Sequence, residues 1–201
     1  MRVVTFVLAA ALSIGSVAFS APITFIADLS GPGEFPPTPS PGTGFATVDF
    51  DLVAHTLRVQ VSFSGLLANT TASHIHCCTA VPLTGAAQVA TQVPSFSGFP
   101  LGVTSGTFDN TFDTLAAATY NPAFVTAQGG TPASAEAALA AAMGVGQTYV
   151  NIHTTEFPGG EISGFLVAPI PEPATFGLVA IALAGYFSLY RKRSCSVPSN
   201  S

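Results

Sequence analysis

Tryptophan is absent from this 201-residue chain, methionine occurs twice, and only five residues are lysine or arginine. Between Ala21 and Ile170 the single cation is Arg58, set against nine acidic residues. A region so depleted in positive charge has no electrostatic footprint for phosphate backbones, which argues against nucleic acid as a partner. It has no basic patch for an anionic membrane surface either. No motif of a serine hydrolase or of a paired-carboxylate enzyme is present. Cysteine is limited to Cys77, Cys78 and Cys195.

The two ends differ from the middle. "MRVVTFVLAAALSIGSVAFSAP" carries one charge at Arg2, an apolar run through Val17, and small residues Ala18 and Ser20 ahead of the expected cleavage point. Residues 1–20 therefore read as a secretory signal peptide. At the other end an uncharged run from Ala174 to Tyr190 is closed by Arg191, Lys192 and Arg193. Its length sits at the short limit of a transmembrane helix, about 17 residues. The basic cluster should stay cytoplasmic, which leaves the bulk of the chain outside and makes 194–201 a cytoplasmic tail.

Alternation dominates what remains. Ile23, Phe25, Ala27 and Leu29 share one side of a first strand. Ala46, Val48, Phe50 and Leu52 do so in "FATVDFDL", and Leu57, Val59, Val61 and Phe63 in "TLRVQVSF". The last two segments flank a turn at Ala54 and His55 and predict an antiparallel hairpin, with Arg58 paired across the strands to Asp49 or Asp51 and His55 facing solvent. "GPGEFPPTPSPG" holds too much proline for a sheet centre, and the long connection after Thr79 reads as a functional or mobile loop. One helix is expected from Thr131 as cap through Pro132 to Gly144, lying outside a sheet because its apolar residues are mostly alanine. The expected fold is all-β: an antiparallel, Greek-key-like β-sandwich or barrel with one short peripheral helix, plus the C-terminal transmembrane helix.

Chemistry concentrates in "SHIHCCT" at 73–79. On a strand, His74 and His76 leave the same face about 7 Å apart, while Ile75 points the other way. Two such imidazoles can converge on one copper or zinc ion at roughly 2.0 to 2.1 Å, with His153 as third ligand and Glu156, Cys77 or Cys78 completing a tetrahedron. The competing reading has the same histidines neutral and buried, bonded to backbone carbonyls in service of the sheet. Export would place Cys77 and Cys78 in an oxidising compartment, and Cys195 lies beyond the anchor. Adjacent Cα atoms, about 3.8 Å apart, fall short of the roughly 4.4 to 6.8 Å that disulfides prefer, which disfavours a vicinal bond without forbidding it. Metal ligation, burial and intermolecular pairing are the other fates of the two thiols.

Two resemblances follow from these residues. "SHIHCCT" followed by "YVNIHTTEFPGGEISGFL" resembles the CHRD domain, a secreted β module, over roughly residues 21–168. Cys77 and Cys78 stand where members commonly continue with Gly-Pro, and Ser163 stands where the family hairpin has arginine. Pro171, Glu172 and Pro173, the run to Tyr190, and Arg191 to Arg193 resemble the PEP-CTERM sorting signal, here 169–193. That resemblance implies a Gram-negative bacterium making exopolysaccharide, recognition by an exosortase, transient anchoring in the inner membrane, cleavage near Pro171, and delivery to the envelope or extracellular matrix. Exopolysaccharide or an envelope protein is then the expected partner. The His-x-His strand also resembles that of copper-zinc superoxide dismutase, but four histidines are too few for its paired metals, and its guiding cations are missing. The function expected is a non-enzymatic binding or structural module. The alternative is a metal-binding protein, redox-active or not.

Overall fold

The computed structural model describes residues 21–169. The expected signal peptide, transmembrane helix and cytoplasmic tail lie outside them, as does Cys195. Among the described residues no helix is long and apolar enough to cross a membrane.

Seven strands form one antiparallel sheet curved into a half-barrel, where two stacked sheets or a barrel had been expected. In chain order they are β1 (Ile23–Ser30), β2 (Thr43–Asp51), β3 (Thr56–Ser64), β4 (Thr70–Cys77), β5 (Gly106–Asp113), β6 (Thr148–Thr154) and β7 (Ile162–Phe165). Their order across the sheet is β4-β6-β7-β1-β2-β3-β5. The alternating segments behave as their pattern demands. Phe25, Ala27 and Leu29 are buried, as are Ala46, Val48 and Phe50, and Leu57, Val59, Val61 and Phe63. Ile23, at the start of β1, and Leu52, in the turn just beyond β2, are the exceptions and are exposed. Burying one of the large side chains contributes about 1.5 to 3 kcal/mol, an upper figure because the unfolded chain is itself partly collapsed. The core continues into Phe96, Phe99, Phe108 and Phe112, with the Phe96 ring 5.7 Å from that of Phe108 and 5.4 Å from that of Phe112.

Among the described residues two α-helices are present where one was expected: α1 (Pro122–Ala127) and α2 (Pro132–Gly144). Asn121 caps α1 by accepting from the Ala123 N–H, a signal hidden in the short "YNPAF" segment. At α2, Thr131 accepts from the Ser134 N–H while Ser134 Oγ accepts from the Thr131 N–H, a reciprocal capping box. Although its apolar residues are mostly alanine, α2 is not merely peripheral. Ala135, Leu139 and Met143 are essentially inaccessible and join the core.

The Arg58 pairing also differs from expectation. Arg58 lies opposite Asp49 in register, but its Nε and Nη2 donate to Asp109 on β5 at 2.9 and 2.6 Å. Asp49 instead accepts from Thr24 Oγ1 at 2.7 Å. The hairpin pattern carried no sign that β5 would flank β3 on its other side. His55, expected to face solvent, reaches α2: its Nδ1 is 3.0 Å from both carboxylate oxygens of Glu136.

Where β7 meets β1 the backbones approach closely. A side chain on Gly164 would collide with the Asp28 carbonyl, so this seam requires glycine. The seam joins β4, β6 and β7 to the β1-β2-β3-β5 meander. It leaves β4 and β6 paired side by side, which positions the site.

Candidate metal centre

β4 and β6 pair with His74 opposite Asn151, His76 opposite Tyr149 and Ala72 opposite His153. Strand alternation sends Ile75, Val150 and Ile152 into the core and puts the three histidines, Tyr149 and Asn151 together on the other face. That face is not open to water, because loops fold back over it. The connection after β4 returns as an extra ribbon: Cys77 N–H donates to Gln88 O at 3.0 Å, and Ala90 N–H to Ile75 O at 2.9 Å. This loop and the 155–161 turn supply backbone carbonyls to the histidines.

Each imidazole has one nitrogen committed to such a carbonyl. His74 Nε2 lies 2.7 Å from Pro94 O, His76 Nδ1 2.8 Å from Ala87 O, and His153 Nδ1 2.9 Å from Pro158 O. A carbonyl only accepts, so all three nitrogens carry hydrogen. The nitrogens left over are His74 Nδ1, His76 Nε2 and His153 Nε2. His74 Nδ1 and His153 Nε2 are 3.1 Å apart, and each ring offers a nitrogen within 4.8 Å of the other two. His76 Nε2 is buried and has no hydrogen-bond partner.

Electrostatics keep the cluster uncharged. Burial, opposed by the bond to Pro94 O and reinforced by the other two rings, brings the His74 pKa down to about 4. Burial also lowers His76 and His153. Neutral rings with outward N–H groups turn lone pairs inward. Three converging lone pairs repel one another unless a cation or proton lies among them. A backbone carbonyl on the far nitrogen is also the arrangement that orients histidine ligands and raises their basicity in metal sites.

The rings are held from the side as well. Tyr149 stacks on His76 with centroids 4.8 Å apart and planes 13° from parallel. Its hydroxyl accepts from Ala87 N–H at 3.2 Å, so Tyr149 and His76 grip the same residue. The protein family model named CHRD domain matches residues 25–166. This chain belongs to the CHRD domain family. The PEP-CTERM protein-sorting motif matches residues 169–193, so the CHRD domain is followed directly by a signal that implies recognition by an exosortase and export to the cell envelope. Neither a curated protein nor a solved structure shows a match.

Within this CHRD domain the other sequence candidates fall as follows. Cys77 points into the core and Cys78 is exposed, and their sulfurs are bonded to each other across a cis peptide with Cα atoms 3.0 Å apart. In that form neither is a thiolate ligand. Glu156 is exposed and stands outside the three-histidine group. Pro171, Glu172, Pro173, Arg191, Lys192 and Arg193 lie beyond the described residues. Alternation does not reveal Glu34, whose buried carboxyl rests against Gly160 in the same region. The only trace of it in the sequence is a single acid within a proline-rich loop.

Proposed function

We propose that this chain is an exported, envelope- or matrix-associated CHRD-domain binding module, non-enzymatic, and that it binds one copper or zinc ion through His74, His76 and His153. The observation that carries this reading is the convergence of three unprotonated nitrogens whose partner nitrogens are all committed to carbonyls. Imidazole suits both metals, and three protein ligands leave a fourth position for a non-protein ligand. Removal of residues 1–20 and cleavage near Pro171 would free the domain from the membrane, with an exopolysaccharide or envelope protein as its setting.

Elemental analysis of protein purified without an affinity tag, beside a His74→Ala variant, tests the metal. About one ion per chain in the wild type, lost in the variant, is the expected result. A wild type without stoichiometric metal after exposure to Cu2+ and Zn2+ removes the reading. Substantial metal-dependent turnover of superoxide would overturn its non-enzymatic part.

A further inference from the structure

We propose that Asn151 positions the fourth, non-protein ligand of the three-histidine centre, and that this ligand is a species bearing hydrogen on its metal-bound atom, water in the first instance. The inference rests on the metal reading above. Its own observation is separate. Asn151 is 1 % exposed, lies directly opposite His74 in the β4-β6 register, and shares the face of Tyr149 and His153. Its Nδ2 donates to Gly159 O at 3.5 Å, which turns Oδ1 the other way, and Oδ1 has no hydrogen-bond partner.

A buried amide oxygen without a donor loses its hydration for nothing in return, and nearly all such atoms in folded proteins are satisfied. His76 Nε2 is unpartnered on the same face, and Asn151 lies within hydrogen-bonding reach of the His76 ring, where its oxygen would serve only a protonated imidazole. The two atoms do not satisfy each other, because His76 carries its hydrogen on Nδ1, toward Ala87 O. Both are acceptors, so one metal–water unit answers both: the metal takes the nitrogen lone pair and its water donates O–H to Oδ1. An acceptor at that position discriminates among ligands. Water gains a hydrogen bond there, whereas azide, an acceptor only, meets the amide oxygen lone pair against lone pair.

The test uses the Cu2+-loaded exported domain and its Asn151→Leu variant, with azide titrated against the charge-transfer band and inner-sphere water read from proton relaxation. Wild type should show one exchangeable water and resist azide. The variant should hold copper and bind azide about three- to tenfold more tightly, as expected for one hydrogen bond lost to the competing water. Azide affinity unchanged within twofold in a copper-loaded variant overturns the proposal. If the variant does not fold, the wild type decides, because a bound copper without inner-sphere water also overturns it. Copper failing to bind the wild type at all instead strikes the three-histidine reading, and the Asn151 proposal falls with it.

Discussion

His74 Nδ1 faces His153 Nε2 at 3.1 Å while the opposite nitrogens of both rings are held by Pro94 O and Pro158 O. Hydrogen-bonding distance between two acceptors has no proton to share unless one ring is charged, and burial opposes that charge. The cluster is thus held neutral by its surroundings alone. Three ordinary histidines with pKa near 6.5 would release about two protons on binding Zn2+ at pH 6, whereas these should release fewer than about one. Calorimetric titration at pH 6 in buffers of different ionisation enthalpy measures the number directly, and a value near two would contradict the neutral cluster.

Opposed pH slopes follow in the metal-free protein. Below pH 6.5 unfolded histidine takes up a proton that folded His74, at about 4, refuses, so stability falls as pH drops from 6.5 toward 4. Glu34 runs the other way. Burial, only partly offset by its hydrogen bonds, raises its pKa from 4.5 to about 7, so its contribution is complete below 4.5 and is lost as pH rises through 7. A cavity of about 350 Å3 borders Glu34 beside Phe35, Pro36, Phe157 and Pro158. Glu34→Gln should keep the acid slope and remove the other. The stability gap between variant and wild type is expected to widen by about 3 kcal/mol from pH 4.5 to 7, read from urea midpoints in EDTA. A gap that does not change with pH would mean that Glu34 titrates normally.

Part of the site was legible from the residues. His-x-His at period two dictates a same-face pair, and the strand around His153 supplies the third ring, because both statements depend only on local alternation. The order of strands was not legible, and with it went Arg58, whose partner Asp109 belongs to a strand 51 residues away. Nor were Ala87 and Pro94 visible as partners. Any residue offers a carbonyl, so only the path of the loop reveals which one meets a ring. Each ring is bonded to a backbone carbonyl outward, as the sheet-serving reading expects, and the three rings also converge inward, the geometry that the metal reading needs.

Glu161 ties three segments together and should be among the least replaceable residues. It is fully buried, and its Oε1 accepts from Ser40 Oγ and from Leu67 N–H, both at 2.6 Å. Its own carbonyl accepts from Thr38 Oγ1 at 2.7 Å. Truncation in Glu161→Ala would leave two donors without their acceptor next to a new cavity, for a loss of about 3 kcal/mol or more. The urea midpoint should fall with the slope unchanged, and a loss under about 1 kcal/mol would show that water replaces the carboxylate without difficulty.

Processing has its own readout. Exported material should have an intact mass that corresponds to a chain beginning near Ala21 and ending near Pro171, with Arg191, Lys192 and Arg193 absent. A mass retaining the C-terminal run would make that segment a permanent anchor, and the domain would then work at the membrane surface.

The cysteine pair adjoins the centre in sequence but not in chemistry. Strand alternation turns Cys77 away from His76 and into the core, while Cys78 is exposed, and the bonded sulfurs offer no thiolate. If three imidazoles alone supply the protein donors, removing both sulfurs leaves the donor set whole. A Cys77→Ser, Cys78→Ser double variant should therefore bind Cu2+ or Zn2+ within about threefold of wild type, whereas His76→Ala should lose more than about 100-fold, beyond the usual effect of an outer-shell change. Sulfur-to-copper charge transfer in the wild type, or a large loss of affinity in the double variant, would put a cysteine in the coordination sphere and make "SHIHCCT" a single mixed site.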